Sequence, residues 1–529
     1  MFAVPPYMRS RPSPLRFVPL AALLALAACN DHPLKEVELS RTSETALEVN
    51  IAPLRNVDIL FVIDNSGSMA AEQANLAANL APMIERLEDE EVAADYRIAV
   101  TTTDVADGAC SASGPEDGNF VYTSCRARLE DFVTPPNFVP AQDAQHSACL
   151  SLCPGSLADL RTLPTSLEVG GEETSRPWIE NVLGAKNLPE GVSTEQAFAC
   201  MGPQGINGCG FEGPLRAMQR ALVRTGASEE TEFGFLRDDA NLLVVFVTDE
   251  ADCSAQGTMP DGVREGGSAA CWDAGVRCTA ADDGSLDCAS ANVDVLGNVV
   301  PGEDAVLTPV EDYVELLANI QAHKREVTGI PDLEVMVSVV AGVPTGFPDV
   351  PVRYSKQTPY ADDFGVDAGC QSAFGDAVPP VRLLELAEAF APEEGSNVSS
   401  VCAQSYRPAL ETAAQALIES FEPACVDTCL AGGADNDCVF SQSVPGQGSQ
   451  PILACEIATD GSATIPEGAD ACVYVAIDAE RAEDCVRARA GAEFKPLFRA
   501  GVPRVPGSAI SATCSISENE QVECPWMGD

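Results

Sequence analysis

The feature that most constrains this chain is an apolar run that stops abruptly at an acid. In Asp58-Ile59-Leu60-Phe61-Val62-Ile63 no polar residue interrupts the stretch from Ile59 onward. A run without alternation reads as a strand buried on both faces, as in a parallel sheet covered by helices. Asp64-Asn65-Ser66-Gly67-Ser68 follows directly, so one carboxylate and two hydroxyls stand at alternating positions on the loop at the carboxyl end of that strand. Side chains two apart can point to one side there. Their oxygens suit a hard cation such as Mg2+, which takes near-octahedral oxygen coordination and usually keeps several waters. A plainer role for Ser66 or Ser68 is to cap the helix that follows.

The surrounding segments fit the first reading. Met69 to Glu90 carries Leu76, Leu80, Ile84 and Leu87 at helical spacing, which predicts an amphipathic helix. A second apolar run, Leu242 to Val247, ends in Thr248-Asp249. Together, Asp-x-Ser-x-Ser after a buried strand, the helix behind it and the Thr-Asp strand end resemble the metal-ion-dependent adhesion site of von Willebrand factor A domains. The resemblance implies an α/β fold of the Rossmann-like type, with a mostly parallel central sheet and helices on both faces. In such a fold, ligands bind in the crevice where strand order reverses. Asp64, Ser66, Ser68 and Asp249 would meet there around Mg2+, or Mn2+ or Ca2+.

The family's third metal-site segment, a threonine before a helix, is altered. The helix Gly213 to Val223 presents Leu215, Met218 and Leu222 on one face, and aligning Leu215 with the family's leucine puts Cys209 at the ligand position. Glu212, Thr102 or Thr103 could substitute. With Glu212 as a ligand, the place of a partner's carboxylate would be filled from within and the site would be structural. The other reading of Glu212 is a solvated first-turn residue favoured by the helix dipole.

Export is the second inference. Arg9, Arg11 and Arg16 precede an apolar stretch, Phe17 to Ala25, and Leu26-Ala27-Ala28-Cys29 resembles the lipobox of bacterial lipoproteins. The apolar stretch is short for a permanent span. Cys29 would become the lipidated amino terminus, placing the body in the cell envelope, with the outer membrane expected because Asn30 rather than Asp follows Cys29. The chain has 21 cysteines, so setting Cys29 aside leaves an even number, twelve between Cys110 and Cys402 and eight between Cys425 and Cys524. In an exported protein this pattern predicts two disulfide-stapled units. Cys200 with Cys209 and Cys370 with Cys402 are the expected pairs, each bracketing one connection. The organisation read from these features is a signal peptide over 1–28, a tether over 29–55, a von Willebrand A-like domain over 56–423 with inserts at about 104–210 and 252–309, and a cysteine-rich, largely β unit over 424–529.

Charge narrows the partners. With 80 acidic against 31 basic residues the chain repels nucleic acid and anionic surfaces. Acidic clusters at Glu250-Ala251-Asp252 and Asp435-Asn436-Asp437 read as solvated loops or as calcium sites, the former favoured. Catalysis finds no motif: the chain has three histidines, His32, His146 and His323, and lacks Gly-x-Ser-x-Gly and His-Glu-x-x-His. The expected function is therefore a non-enzymatic, lipid-anchored adhesion or binding protein that uses the metal-site face to engage a protein, matrix or envelope macromolecule, with no small-molecule substrate. An envelope scaffold with a closed or metal-free site is the alternative, and a hydrolase is the least favoured. Replacing Cys29 with Ser is expected to move the protein from the membrane to the soluble fraction on cell fractionation; unchanged membrane association would overturn the lipobox reading.

Overall fold

The structure, a computed structural model, describes residues 46–517 apart from short internal stretches, of which 166–173, 478–491 and 500–508 are the longest. The leader and Cys29 lie outside the described residues. In chain order the principal elements begin with β1 (Ala46–Asn50), β2 (Asn56–Ile63), α1 (Ala70–Asn79), α2 (Ala81–Leu87), β3 (Asp95–Thr102), β4 (Ile179–Val182) and β5 (Ala185–Lys186). They continue with α3 (Thr194–Met201), α4 (Pro214–Thr225), β6 (Asn241–Val247), α5 (Val310–Thr328), β7 (Val335–Ala341), α6 (Val381–Ala389), β8 (Val398–Ser400) and α7 (Arg407–Glu419).

The chain is a mixed α/β protein with a central sheet of order β8-β7-β6-β2-β3-β4-β5. β2, β3, β6, β7 and β8 run parallel, while β4 and β5 are antiparallel additions at one edge. Strand order reverses between β2 and β6. Each central strand divides its side chains between two cores, because successive residues face opposite sides. Val57, Ile59, Phe61 and Ile63 join Leu243, Val245 and Val247 in a core shared with α1, α2, α3 and α7. Leu60 and Val62 join Leu242, Val244 and Phe246 against α4, α5 and α6. This two-sided covering is why the runs contain no exposed position: Val57 to Ile63 and Leu242 to Val247 are at most 2% exposed. Each such side chain contributes about 1.5–3 kcal/mol by its burial, which anchors the strand ends that carry the acids.

The helix expected over Met69–Glu90 is broken in two at Leu80. Pro82 sits in the first turn of α2, where its missing N–H is harmless, but inside one continuous helix its ring would clash with the carbonyl four residues back. The first insert is more structured than its composition suggests. It supplies β4, β5 and α3, the last opened by a reciprocal capping box between Ser193 and Gln196, and it sends Phe132, Cys149 and Phe198 into the α1-side core.

Disulfides staple both inserts: Cys125 pairs with Cys149 in the first, and Cys253 with Cys271 and Cys278 with Cys288 in the second. Beyond them, Cys370 pairs with Cys402 as expected. The expected Cys200–Cys209 pair does not form. Cys200 pairs with Cys153 and Cys209 with Cys110, because the segment after α3 is drawn over the end of β2 by Gln73 and carries Cys209 away from Cys200.

The second sheet is formed by β1 together with β9 (Ala424–Cys425), β10 (Val439–Val444), β11 (Gly448–Ala454), β12 (Ala471–Ile477), β13 (Ala492–Phe498) and β14 (Ala509–Ser515), in the order β1-β14-β10-β11-β12-β13-β9. Its core gathers Leu430, Phe440, Val473, Phe494 and Ile510, and Cys438–Cys514 and Cys455–Cys472 cross-link it. Residues 46–50 are therefore not tether, as the sequence suggested. They pair antiparallel with β14 from Ala46↔Ser515 to Asn50↔Ser511, filling the hydrogen-bonding edge that β14 would otherwise leave open.

Candidate metal centre

Strand register builds the site. Ile63 pairs with Val247 on one side and with Thr102 on the other, so the next residues, Asp64, Thr248 and Thr103, stand in a row across the carboxyl ends of three strands. The backbone continues the ladder one step further, with Asp64 N donating to Val247 O at 2.9 Å and Thr103 N to Ile63 O at 3.2 Å. Asp64 is fully buried. One of its carboxylate oxygens accepts from Ser66 N at 2.8 Å, which closes the loop as an Asx turn, and the other accepts the Thr248 hydroxyl at 2.6 Å. The Ser66 and Ser68 hydroxyls lie 3.1 Å apart, and the Ser68 hydroxyl also reaches the Asp249 carboxylate. Asp64, Ser66, Ser68 and Asp249 are thus brought together, and of the four only Ser68 is exposed.

Gln73 fixes the roof. Its amide nitrogen donates to Asp64 O and Gly205 O, both at 2.7 Å, while its oxygen accepts from Gln204 N and Gly205 N. The covering loop then passes so close that a Cβ on Gly208 would meet the Asn65 side-chain oxygen at 2.4 Å, so only glycine fits. This loop delivers Glu212, which is fully buried and accepts a hydrogen bond from the Thr103 hydroxyl. Thr102 turns away, donating to Glu116 at 2.6 Å. Cys209, at the position where a threonine would have offered a hydroxyl, is locked to Cys110, and its backbone N donates to Asp104 at 3.2 Å. Asp104 and these two sulfurs lie close together, but bridged sulfurs offer no thiolate to an ion.

Electrostatics set the crevice apart from three other buried acids. Asp58 meets Arg237 at 2.8 Å, Asp252 meets Arg382 at 2.8 Å and Glu180 meets Arg97 at 3.3 Å, while Glu232 and Asp367 are single buried acids held by hydroxyls or backbone N–H groups. The Arg382 pair also removes Asp252 from any calcium cluster with Glu250. In the crevice, Asp64, Glu72, Glu212, Asp249 and Glu250 have no ion pair with lysine or arginine among the described residues. Burial pushes every one of them above the ordinary carboxylate range. For Asp249 and Glu212 the Asp64 charge adds to burial, while the Thr248 and Ser66 hydrogen bonds oppose it at Asp64. Glu72 is raised by burial and by Asp64, and Glu250 by burial, Asp249 and Asp64. Buried oxygens of Asp249, Glu212 and Glu72 lack any hydrogen-bond partner. Unpartnered buried acceptors beside paired hydroxyls form a hard-oxygen donor set, which fits Mg2+, Mn2+ or Ca2+ and leaves nothing for a soft metal.

Glu72 is the residue that sequence reasoning missed. It lies in the first turn of α1, where an acid is ordinary, and only the tertiary burial of that turn reveals it.

No protein-family model matches the chain, and no curated protein matches it. Among solved structures, the pilus adhesin SpaC from Lactobacillus rhamnosus GG in its open conformation is similar over 89% of this chain and 40% of its own, at 10% identity and a TM-score of 0.28. The pilus adhesin RrgA from Streptococcus pneumoniae is similar over 90% of this chain and 58% of its own, at 8% identity and a TM-score of 0.22. This chain therefore spans less than two thirds of the length of either adhesin, and at such TM-scores the similarity carries no argument about fold or function.

A cation bound between the carboxylates would stabilise the folded state, because a ligand bound only by that state adds about 2.7 kcal/mol at a hundredfold excess over its Kd. Saturating Mg2+ is expected to raise the melting temperature, and Asp64→Asn or Asp249→Asn to abolish the rise. In chelator, Asp249→Asn should melt above wild type by relieving repulsion. That advantage should shrink as pH falls, since the raised carboxylates take up protons and lose charge. Melting indifferent to millimolar Mg2+, Mn2+ and Ca2+ would remove the cation from the account.

Proposed function

We propose that this chain is an exported, lipid-anchored binding protein of the bacterial cell envelope, built on a von Willebrand A fold and without catalytic activity, which engages a protein or matrix partner at the crevice between β2 and β6. The reversal of strand order at that point supports the fold reading, as does the Asp-x-Ser-x-Ser loop at its mouth. The observation that carries the functional reading is the gathering of several buried carboxylates without a basic partner at one crevice, where Asp58, Asp252 and Glu180 elsewhere each meet an arginine. Asp64, Ser66, Ser68 and Asp249 would hold the cation, and the cation would supply a Lewis-acidic centre for a carboxylate oxygen. Ser68 marks the open side from which a partner arrives, and Gln73 holds the Asp64 loop in place from below.

Glu212 favours a second reading. Its buried carboxylate, steadied by Thr103, lies within electrostatic reach of Asp64 and occupies the interior where a partner's acid would enter. With that place filled, the domain would act as an envelope scaffold through its disulfide-stapled inserts. The two readings separate in one experiment: the chain without its anchor, immobilised and exposed to an envelope or matrix extract, with Mg2+ or with excess chelator. Adhesion through the crevice predicts retention that needs Mg2+, is lost in Asp64→Ala and strengthens in Glu212→Gln. Retention that ignores chelator and both substitutions would replace the adhesive reading with the scaffold.

A further inference from the structure

α1 enters the crevice with a carboxylate that neither the Asp-x-Ser-x-Ser pattern nor the Thr-Asp strand end predicts. Glu72 is 6% exposed. It follows the metal-site loop by one helical turn, and Met69 and Gln73 flank it in space: Gln73 N donates to Met69 O at 3.0 Å, while the Gln73 side chain is committed to Asp64 O and the covering loop. The turn that carries Glu72 is therefore locked to the Asp64 loop. One oxygen of Glu72 is buried with no hydrogen-bond partner, and its charge acts on both Asp64 and Asp249. A helix-start acid placed only for the macrodipole needs solvent and no neighbour. Burying it instead within electrostatic reach of two further carboxylates, with no arginine or lysine ion-paired to it among the described residues, costs free energy unless a positive charge offsets their repulsion.

From this geometry we infer that Glu72 is an outer residue of the divalent-cation site, holding water bound to the ion from the α1 side. The inference rests on the proposed cation site and adds to it a residue, and with it a consequence for affinity. Glu72 would add a third acid to Asp64 and Asp249, acting through water on the ion, so the site would retain its ion more tightly than the two acids of the sequence pattern would. Ser66 and Ser68 alone supply neutral oxygens. Outer carboxylates that orient the ligands of a metal are typically worth 10–100-fold in affinity.

The test is calorimetric titration of MgCl2 into the metal-stripped mature chain, repeated with Glu72→Gln and Glu72→Asp, each confirmed folded by circular dichroism. Glu72→Gln keeps the shape and removes the charge, and is expected to weaken Mg2+ binding 10–100-fold while raising the melting temperature in chelator. Glu72→Asp keeps the charge and should recover most of the affinity. A purely structural Glu72 would leave the Mg2+ affinity of Glu72→Gln unchanged and lower its metal-free melting temperature, which would overturn the inference while leaving the cation site intact. Wild type that takes up no Mg2+ would overturn the site itself and Glu72 with it.

Discussion

The parallel pairing of β2 with β3 and β6 is the constraint on which the rest depends. Because Ile63 faces both Val247 and Thr102, the three strands end level, and the polar residues that follow them must share one small volume. A slip of one residue would reverse which core each side chain enters, and both faces are packed. The apolar core therefore holds the acids where they are: Phe61 against Phe198 with ring centroids 5.0 Å apart on one side, and Val244 and Phe246 against α4, α5 and α6 on the other. The acids do not choose this neighbourhood by mutual attraction. They are carried to it by the ends of strands that are stable for other reasons.

Two buried carboxylates outside the crevice show how this molecule can neutralise such a charge. At the opposite end of β2, Asp58 receives the Arg237 guanidinium and also its backbone N–H, so its charge is neutralised and its oxygens are satisfied. Asp252, just past the crevice, is treated similarly by Arg382, Ser254 and Leu215 N. Between them, the Asp64 crevice receives hydroxyls and backbone amides but no cationic side chain among the described residues. Hydroxyls ease the desolvation of one carboxylate and cannot offset repulsion among several. A site of this kind would be stabilised by an external cation supplying the missing charge, which would make the proposed binding face metal-dependent.

How much of this could be read in advance follows from the range of each interaction. The strand Asp58 to Ile63 and the helix Gly213 to Val223 were legible because their patterns are local, and the neighbourhood of Asp64 with the Thr248-Asp249 strand end followed from the strand order they imply. β1 was not legible, since the partner that makes Ala46–Asn50 a strand lies at the other end of the chain. Nor was the role of Glu72, because a helix-start acid looks the same in sequence whether the turn faces water or a crevice. Cysteine positions suggested two stapled regions but not the pairing of Cys200 and Cys209, which depends on the path that Gln73 imposes on the loop between them. Thr102 and Thr103 are adjacent and chemically equal, and only the pleat decided that Thr103 faces Glu212 and Thr102 faces Glu116.

The central claim is that an external divalent cation completes the Asp64 crevice, and anomalous diffraction from crystals grown with MnCl2 tests it most directly. The account predicts an anomalous peak at coordination distance from side-chain oxygens of Asp64, Ser66 and Ser68, with the carboxylates of Asp249 and Glu72 turned toward it. Crystals in which Mn2+ gathers only on the exposed acidic surface, and the crevice carboxylates remain hydrogen-bonded to protein and water alone, would contradict it.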